Sequence, residues 1–266
     1  MIENFNFKDR YDIYDLIEII KDLRSPGGCP WDMEQTHESI RKDLIEETYE
    51  TIEAINKADP DMLREELGDV LMQVVFHAQI ETEKGVFNFD DVTDEICKKM
   101  IERHPHVFGE INVESVDDVL TNWDAIKRRT KGQKSTSDAI DSVPRELPAL
   151  MRANKIQSKA AKAGFDWTEV GGALDRLSEE IEELKEAIAN GDKAEISDEL
   201  GDVLFSAVNV SRFVKVDPEE ALTNSTDKFV GRFKKVEVKA GERGIDMTTA
   251  SLETLDELWD EAKKGI

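Results

Sequence analysis

The chain has 266 residues, a formal net charge of −24, 39% hydrophobic residues and 35% charged residues. This acidity argues against a nucleic-acid partner, because binding a phosphate backbone relies on Lys and Arg, and it disfavours anionic membrane surfaces. A polyanionic small molecule remains compatible with this acidity if divalent cations bridge the molecule to the carboxylates.

No stretch approaches the roughly 20 apolar residues that span a bilayer. The two cysteines, Cys29 and Cys97, form neither a CxxC motif nor a disulfide framework. We therefore expect a cytoplasmic protein.

Hydrophobic periodicity predicts helices throughout the chain, and no segment shows sustained strand alternation. In the first half we expect helices at 12–24, 36–57, 61–83, from Asp90 or Asp91 to about 102, and 115–129, with GGCPWD (27–32) as a turn. In the second half we expect them at 148–163, 172–190, 192–215, 218–240 and 251–264. The polar, aperiodic segment 131–142 is read as a linker. The prediction is an all-α protein with domains at 1–130 and 143–266.

One acidic pattern, EExxE followed by ExxD, occurs twice at a constant separation of 133 positions, as from Glu46 to Glu179. The recurring acids are Glu46/Glu179, Glu47/Glu180, Glu50/Glu183, Glu53/Glu186, Glu66/Glu199 and Asp69/Asp202. Their neighbours recur as well: Leu44, Ala54, Ile55, Leu67, Gly68, Val70 and Leu71 return as Leu177, Ala187, Ile188, Leu200, Gly201, Val203 and Leu204. Solvated charge does not require fixed spacing, whereas a metal site does.

The first part of the pattern has two readings. Because a helix turns by 100° per residue, Glu46, Glu50 and Glu53 share one face, with Glu47 about a third of a turn away. Taken alone, the segment is read equally well as an amphipathic helix with a solvated acidic face. Its opposite side carries Leu44, Ile45, Ile52 and Ile55.

The next helix favours a metal site. From Leu67 to Ile80 it is apolar almost all round, a pattern typical of a helix buried in a bundle. Glu66 and Asp69 lie one turn apart at its start, and few Lys or Arg flank them. Since a buried unpaired carboxylate is costly, a divalent cation is the expected partner. All-oxygen ligands suit Mg²⁺, or Mn²⁺ as a substitute, rather than zinc.

The chain resembles the MazG family of nucleoside triphosphate pyrophosphohydrolases over nearly its whole length. The resemblance rests on GGCPWDMEQTHESI, LIEETYETIEAI, EELGDVLMQVVFHAQIE and RHPHVFGE in the first half, and on AAKAGFDW, EEIEELKEAI and DELGDVLFSAVN in the second. It implies that each chain is a tandem repeat of two MazG-like helical-bundle domains. It also implies that two such chains form a homodimer. It also implies a Mg²⁺-dependent enzyme that cleaves nucleoside triphosphates to the monophosphate and pyrophosphate.

Carried over by position, the resemblance implies metal-binding and catalytic acids in both halves. They are Glu180, Glu183, Glu199 and Asp202 in the second half, and Glu47, Glu50, Glu66 and Asp69 in the first, with Glu46 and Glu179 as nearby acids. It further implies nucleotide contacts from Lys228, Arg232 and Trp259.

The first half departs from this nucleotide-binding pattern in one place. Lys99 aligns with Arg232 and Trp123 aligns loosely with Trp259, but Glu95 stands where Lys228 would be. Two further residues, Arg103 and Lys127, are candidates for the missing positive charge.

The predicted function is Mg²⁺-dependent hydrolysis of NTPs or dNTPs, in nucleotide-pool house-cleaning or stress-response regulation. One alternative is a non-catalytic helical interaction or regulatory protein with acidic metal-binding patches. Another is a related all-α pyrophosphatase restricted to one noncanonical or deoxynucleotide. The sequence leaves open which repeat is active, the base preference and the number of metal ions.

Overall fold

A computed structural model describes residues 5–113, 115–130, 132–133 and 135–264. Over this part of the chain every regular element is an α-helix and no strand is present, which confirms the all-α prediction. The chain divides into two compact units, Met1–Lys127 and Arg128–Ile266.

The first unit is built from α1 to α7. Their bounds are α1 Ile13–Arg24, α2 Pro30–Glu34, α3 Arg41–Lys57, α4 Pro60–Glu83, α5 Phe89–Arg103, α6 Pro105–Phe108 and α7 Val116–Thr130, the last of which runs three residues past the division. Its core joins α1 to α4 and contains the buried residues Ile20, Ile40, Val75, Phe76 and Ile80.

The second unit is built from α8 to α13. Their bounds are α8 Thr136–Asp141, α9 Ala149–Lys162, α10 Val170–Asn190, α11 Lys193–Phe213, α12 Pro218–Glu242 and α13 Leu252–Lys264. Helix α10 packs against α11, α9 packs against α11 and α12, and α12 packs against α13. The α12–α13 core contains Val236, Ala240, Leu258 and Ala262.

Both units contain a tight helical hairpin, α3–α4 in the first and α10–α11 in the second. Each hairpin has a two-residue connection, in which a residue with left-handed backbone precedes an aspartate. Ala58 has φ 51° and Gly191 has φ 77°, and the carboxylates of Asp59 and Asp192 each accept hydrogen bonds from two backbone N–H groups at the start of the following helix. This N-cap satisfies backbone donors that otherwise lack partners. The connection turns the chain back at once, so the acids of the two helices face each other.

Several predicted elements differ from the structure. The expected turn at 27–32 contains the start of α2, where Pro30 occupies the first helical position, a position that suits proline. The segment 131–142, read as a linker, contains α8, which packs against α9 and buries Ala139. The cap of α5 is Asn88, not Asp90 or Asp91. Asp91 is instead the third helical residue, and its carboxylate accepts from the Asn88 N–H in a capping box.

The expectation that the acid-bearing helix is buried all round is wrong for a single chain. Leu67, Leu71 and Val74 on α4 are between 36% and 52% exposed. On α3, Ile45 and Ile52 are also exposed. The apolar pattern therefore predicts that this helix face is buried, but it does not show that another helix of the same unit buries it.

Candidate active site

In each hairpin, three of the predicted ligands converge. Within the first cluster, one carboxylate oxygen each from Glu47, Glu66 and Asp69 lies within 4.8 Å of the others. The second cluster consists of Glu180, Glu199 and Asp202 with the same geometry. The helical hairpin explains this convergence, since one acid comes from the first helix and two come from the start of the second.

Glu50 and Glu183, also predicted as ligands, do not belong to these converging sets. Glu50 lies close enough to Glu47 and Glu66 to raise the pKa of both carboxyls. Glu183, whose side chain is 48% exposed, likewise raises the pKa of Glu199. The structure therefore places this pair beside the clusters, where a carboxylate is available to an additional ligand or to water.

The four glutamates of the two clusters have raised pKa values. Burial is the largest cause of the raised pKa of Glu47, Glu66 and Glu199, and neighbouring carboxylates add to it. Burial also raises the pKa of Glu180, although Arg176 opposes this effect. These acids are therefore held in an environment that disfavours their negative charge, unless a cation neutralises it.

The second cluster contains buried oxygens without hydrogen-bond partners. Glu180 is only 3% exposed, and its Oε2 atom, like Oε2 of Glu199, is buried with no partner in the structure. Oxygen donors of this kind suit Mg²⁺ or Mn²⁺, which prefer carboxylate ligands. The residues present therefore fit the divalent cation that the sequence predicts.

An arginine that sequence reasoning missed lies against the second cluster. Arg176 Nε is 2.7 Å from Glu180 Oε1, and its Nη1 is 3.1 Å from Glu179 Oε2 and 3.8 Å from Glu183 Oε1. Its position four residues before Glu180 on α10 was a usable signal, because residues i and i+4 share a helix face. The expectation that few Lys or Arg flank these acids therefore did not anticipate the ion pair of Glu180 in the second unit.

The predicted nucleotide-binding residues of the second unit lie on α12 and α13. The Arg232 guanidinium lies over the Trp259 ring at 5.8 Å, and Phe229 lies 5.2 Å from the same ring. Arg232 Nε is buried without a hydrogen-bond partner, whereas Lys228 is exposed. The structure thus brings Arg232 and Trp259 together, and their contact with a nucleotide stays a prediction.

In the first unit a similar pair is formed by different residues. The Arg103 guanidinium lies 5.4 Å from the Trp123 ring, and His104 meets the same ring edge-on at 5.0 Å. Lys99, predicted from its alignment with Arg232, is exposed on α5, and Lys127 is half-buried on α7. A role in nucleotide binding stays a prediction for all of these residues.

Comparison with known sequences identifies the repeated unit. The sequence profile described as "MazG nucleotide pyrophosphohydrolase domain" matches residues 35–108 and 171–237, which contain the first and second clusters respectively. The chain belongs to the MazG family. It is 48% identical over 251 residues to the nucleoside triphosphate pyrophosphohydrolase/pyrophosphatase MazG of Thermotoga maritima, covering 94% of this chain and 95% of the relative. It is 44% identical over 254 residues to the nucleoside triphosphate pyrophosphohydrolase of Escherichia coli K12, covering 94% and 96%.

The family assignment confirms the tandem all-α architecture, since the profile matches once in each unit. Among the residues that the structure describes, no helix combines the length and the apolar composition that crossing a bilayer requires.

Proposed function

We propose that this MazG-family chain is a Mg²⁺-dependent enzyme that hydrolyses nucleoside triphosphates to the monophosphate and pyrophosphate. Membership of the family supports the general class, a nucleoside triphosphate pyrophosphohydrolase. The observation that carries the cation dependence is the convergence of Glu180, Glu199 and Asp202, with two buried carboxylate oxygens that lack partners.

In this proposal Glu180, Glu199 and Asp202 hold the cation of the second unit, and Glu47, Glu66 and Asp69 hold that of the first. When bound, Mg²⁺ supplies positive charge that neutralises the triphosphate oxygens. Water attacks the α-phosphorus, the bond to the α–β bridging oxygen breaks, and pyrophosphate leaves. A neighbouring glutamate, with Glu183 as the candidate in the second unit, takes the proton of the attacking water.

The residues on α12 and α13 are suited to hold the rest of the substrate. Lys228 and Arg232 lie four residues apart on one helical face and provide positive charge for phosphates. Trp259, which Phe229 and Arg232 contact, offers an aromatic surface to a base.

The active form in this proposal is a homodimer. Three apolar positions that recur in the two hairpins are all between 39% and 58% exposed, which leaves an apolar face uncovered on each unit. Such a face is typical of a surface that a protein partner covers. The residues are Ile55, Leu67 and Leu71 in the first unit and Ile188, Leu200 and Leu204 in the second. Light scattering should therefore give about twice the chain mass of 30.1 kDa.

The activity is tested by incubating the full chain with Mg²⁺ and each common NTP and dNTP, and by measuring both pyrophosphate and the monophosphate. Glu180→Gln with Glu183→Gln should abolish most turnover if the second unit dominates. Loss in Glu47→Gln with Glu50→Gln instead would place the activity in the first unit. Glu182→Gln, on the exposed side of α10, is the matched control. No pyrophosphate with any base or metal would favour the alternative of a non-catalytic interaction protein.

A further inference from the structure

The two acidic clusters contain the same three residue types but differ in the charge of the residue four positions before the first ligand. Arg176 lies against the second cluster, with its Nε 2.7 Å from Glu180 Oε1. The residue 133 positions earlier is Asp43. The same helical position, one turn before the first ligand, therefore carries a positive charge in one unit and a negative charge in the other.

Two basic residues of the first hairpin are paired with other acids. Lys57 on α3 pairs with Glu53, and Arg64 on α4 pairs with Asp61. Among the described residues, no Lys or Arg forms an ion pair with a member of the first cluster, Glu47, Glu66 and Asp69. The first cluster is therefore left without an internal positive charge.

We propose that Arg176 is an internal counter-ion that competes with the divalent cation for Glu180. This inference rests on the proposed cation sites and concerns their order of filling. A cation bound through the free Oε2 of Glu180 shares this carboxylate with the guanidinium on Oε1, so the two positive charges repel each other and the carboxylate has less negative charge left for the cation. A cation at the first cluster meets no such competing charge. The first cluster therefore binds free divalent cations more tightly than the second.

The same arrangement couples the second cluster to an anionic ligand. The Arg176 side chain is 40% exposed, so its guanidinium has room to leave Glu180 and pair with an anion in the site. A ligand that carries both a divalent cation and phosphate charge satisfies the carboxylates and the displaced arginine together. Since such coupling is reciprocal, nucleotide should raise cation affinity at the second cluster more than at the first.

The test is an Mn²⁺ titration of the full chain by electron paramagnetic resonance, without nucleotide. Glu199→Gln leaves only the first cluster intact, and Glu66→Gln leaves only the second. We expect the first cluster to bind Mn²⁺ about two- to fivefold more tightly, within the range for a partly exposed ion pair. Adding Arg176→Gln to the Glu66→Gln background should remove most of the difference.

The reciprocal change provides a second test. Asp43→Arg, added to Glu199→Gln, should weaken Mn²⁺ binding at the first cluster by a similar factor. Arg64→Gln, which removes an exposed arginine near the first cluster, is the control and should change neither affinity. The titrations should then be repeated with a nucleotide whose α–β bridge is a methylene group. We expect the difference in Mn²⁺ affinity between the two clusters to become smaller.

The outcomes separate this inference from the proposed function. Equal Mn²⁺ affinities at the two clusters, or an Arg176→Gln variant that binds no more tightly, would overturn the competition even if Mg²⁺-dependent hydrolysis persisted. Absence of Mn²⁺ binding at both clusters would overturn the cation sites themselves and the inference with them.

Discussion

Replacing Glu180 by glutamine should make the second unit more stable without cations and less stable with them. Glu180 is 3% exposed, one of its oxygens contacts Arg176, and the other has no partner. An unmade hydrogen bond at a buried polar group costs about 1–3 kcal/mol. Glutamine keeps the shape, removes the charge that Glu183 and Asp202 repel, and places an amide donor beside those carboxylates.

The net effect is expected to be smaller than this full cost, because glutamine also weakens the contact with Arg176. A net gain of about 1 kcal/mol would raise the melting temperature by about 2–4 °C for a chain of this size. Magnesium at a hundredfold excess over its dissociation constant stabilises the wild type by about 2.7 kcal/mol. The variant lacks a main ligand, so it should lose most of that gain, and the order of stability should reverse on adding Mg²⁺.

The pH dependence gives the same prediction a second measurement. Burial raises the pKa of Glu180, so the folded state holds this proton more tightly than the unfolded chain does. The contribution of this carboxyl to stability is therefore largest at low pH and falls as the pH rises through its folded pKa. In Glu180→Gln this decline should be absent.

Differential scanning calorimetry in EDTA and in excess Mg²⁺, at pH 7.5 and at lower pH, measures all three effects. Glu182→Gln is the matched control, since its exposed pairing with Lys185 should be worth less than about 1 kcal/mol. The reasoning is refuted if Glu180→Gln melts below the wild type in EDTA, or if its response to Mg²⁺ is unchanged.

Three further predictions concern the framework around the site. Leu258→Ala, at a fully buried position in the α12–α13 core, should destabilise the second unit by about 3 kcal/mol in urea unfolding, whereas the exposed Leu252→Ala should have little effect. Gly172→Ala should cost about 1 kcal/mol despite the helical preference of alanine, because the new Cβ would lie 2.3 Å from the Trp167 ring, and a change in tryptophan emission should report the displaced ring. The Arg24 guanidinium lowers the pKa of Glu83 through a bidentate ion pair, in which Nε and Nη2 each donate to one carboxylate oxygen. The stability lost in Glu83→Gln should therefore be largest at neutral pH and should shrink as the pH falls through the carboxyl pKa, as urea unfolding at several pH values will measure.

The positions of the three-acid clusters were predictable from the sequence because the relevant information is local. Glu66 and Asp69 lie one turn apart on a single helix, and Asp59 caps that helix within a two-residue connection. Helical periodicity and capping chemistry therefore fix which carboxylates can meet. The constant separation of 133 positions then transfers the same geometry to the second hairpin.

The sequence did not predict features that depend on which neighbouring atoms a side chain contacts in the folded chain. Glu50 has the same charge as the members of its cluster and lies near Glu47 and Glu66, but it is not among the three acids whose oxygens converge. The missed role of Arg176 has a similar origin: a count of basic neighbours along the chain does not distinguish a solvated arginine from one held against Glu180. Exposure of Leu67 and Leu71 was missed because an apolar pattern gives the amount of surface to be covered, not the molecule that covers it.

Two differences between the repeats add positive charge to the second unit. At the position before the first ligand, Asp43 is replaced by Arg176, and on the following helix Glu95 is replaced by Lys228. Each exchange replaces a negative charge with a positive one, while the acids of the two clusters are unchanged. A nucleoside triphosphate with one bound Mg²⁺ still has net negative charge, so Coulomb attraction favours its approach to the second unit over the first. The first unit has the same carboxylates, and among the described residues none of its three cluster acids forms an ion pair with Lys or Arg, so it is better suited to hold a cation without a substrate. The duplicated framework thus contains two sites with different surrounding charges, and higher ionic strength should weaken any preference of the substrate for the second unit by screening those charges.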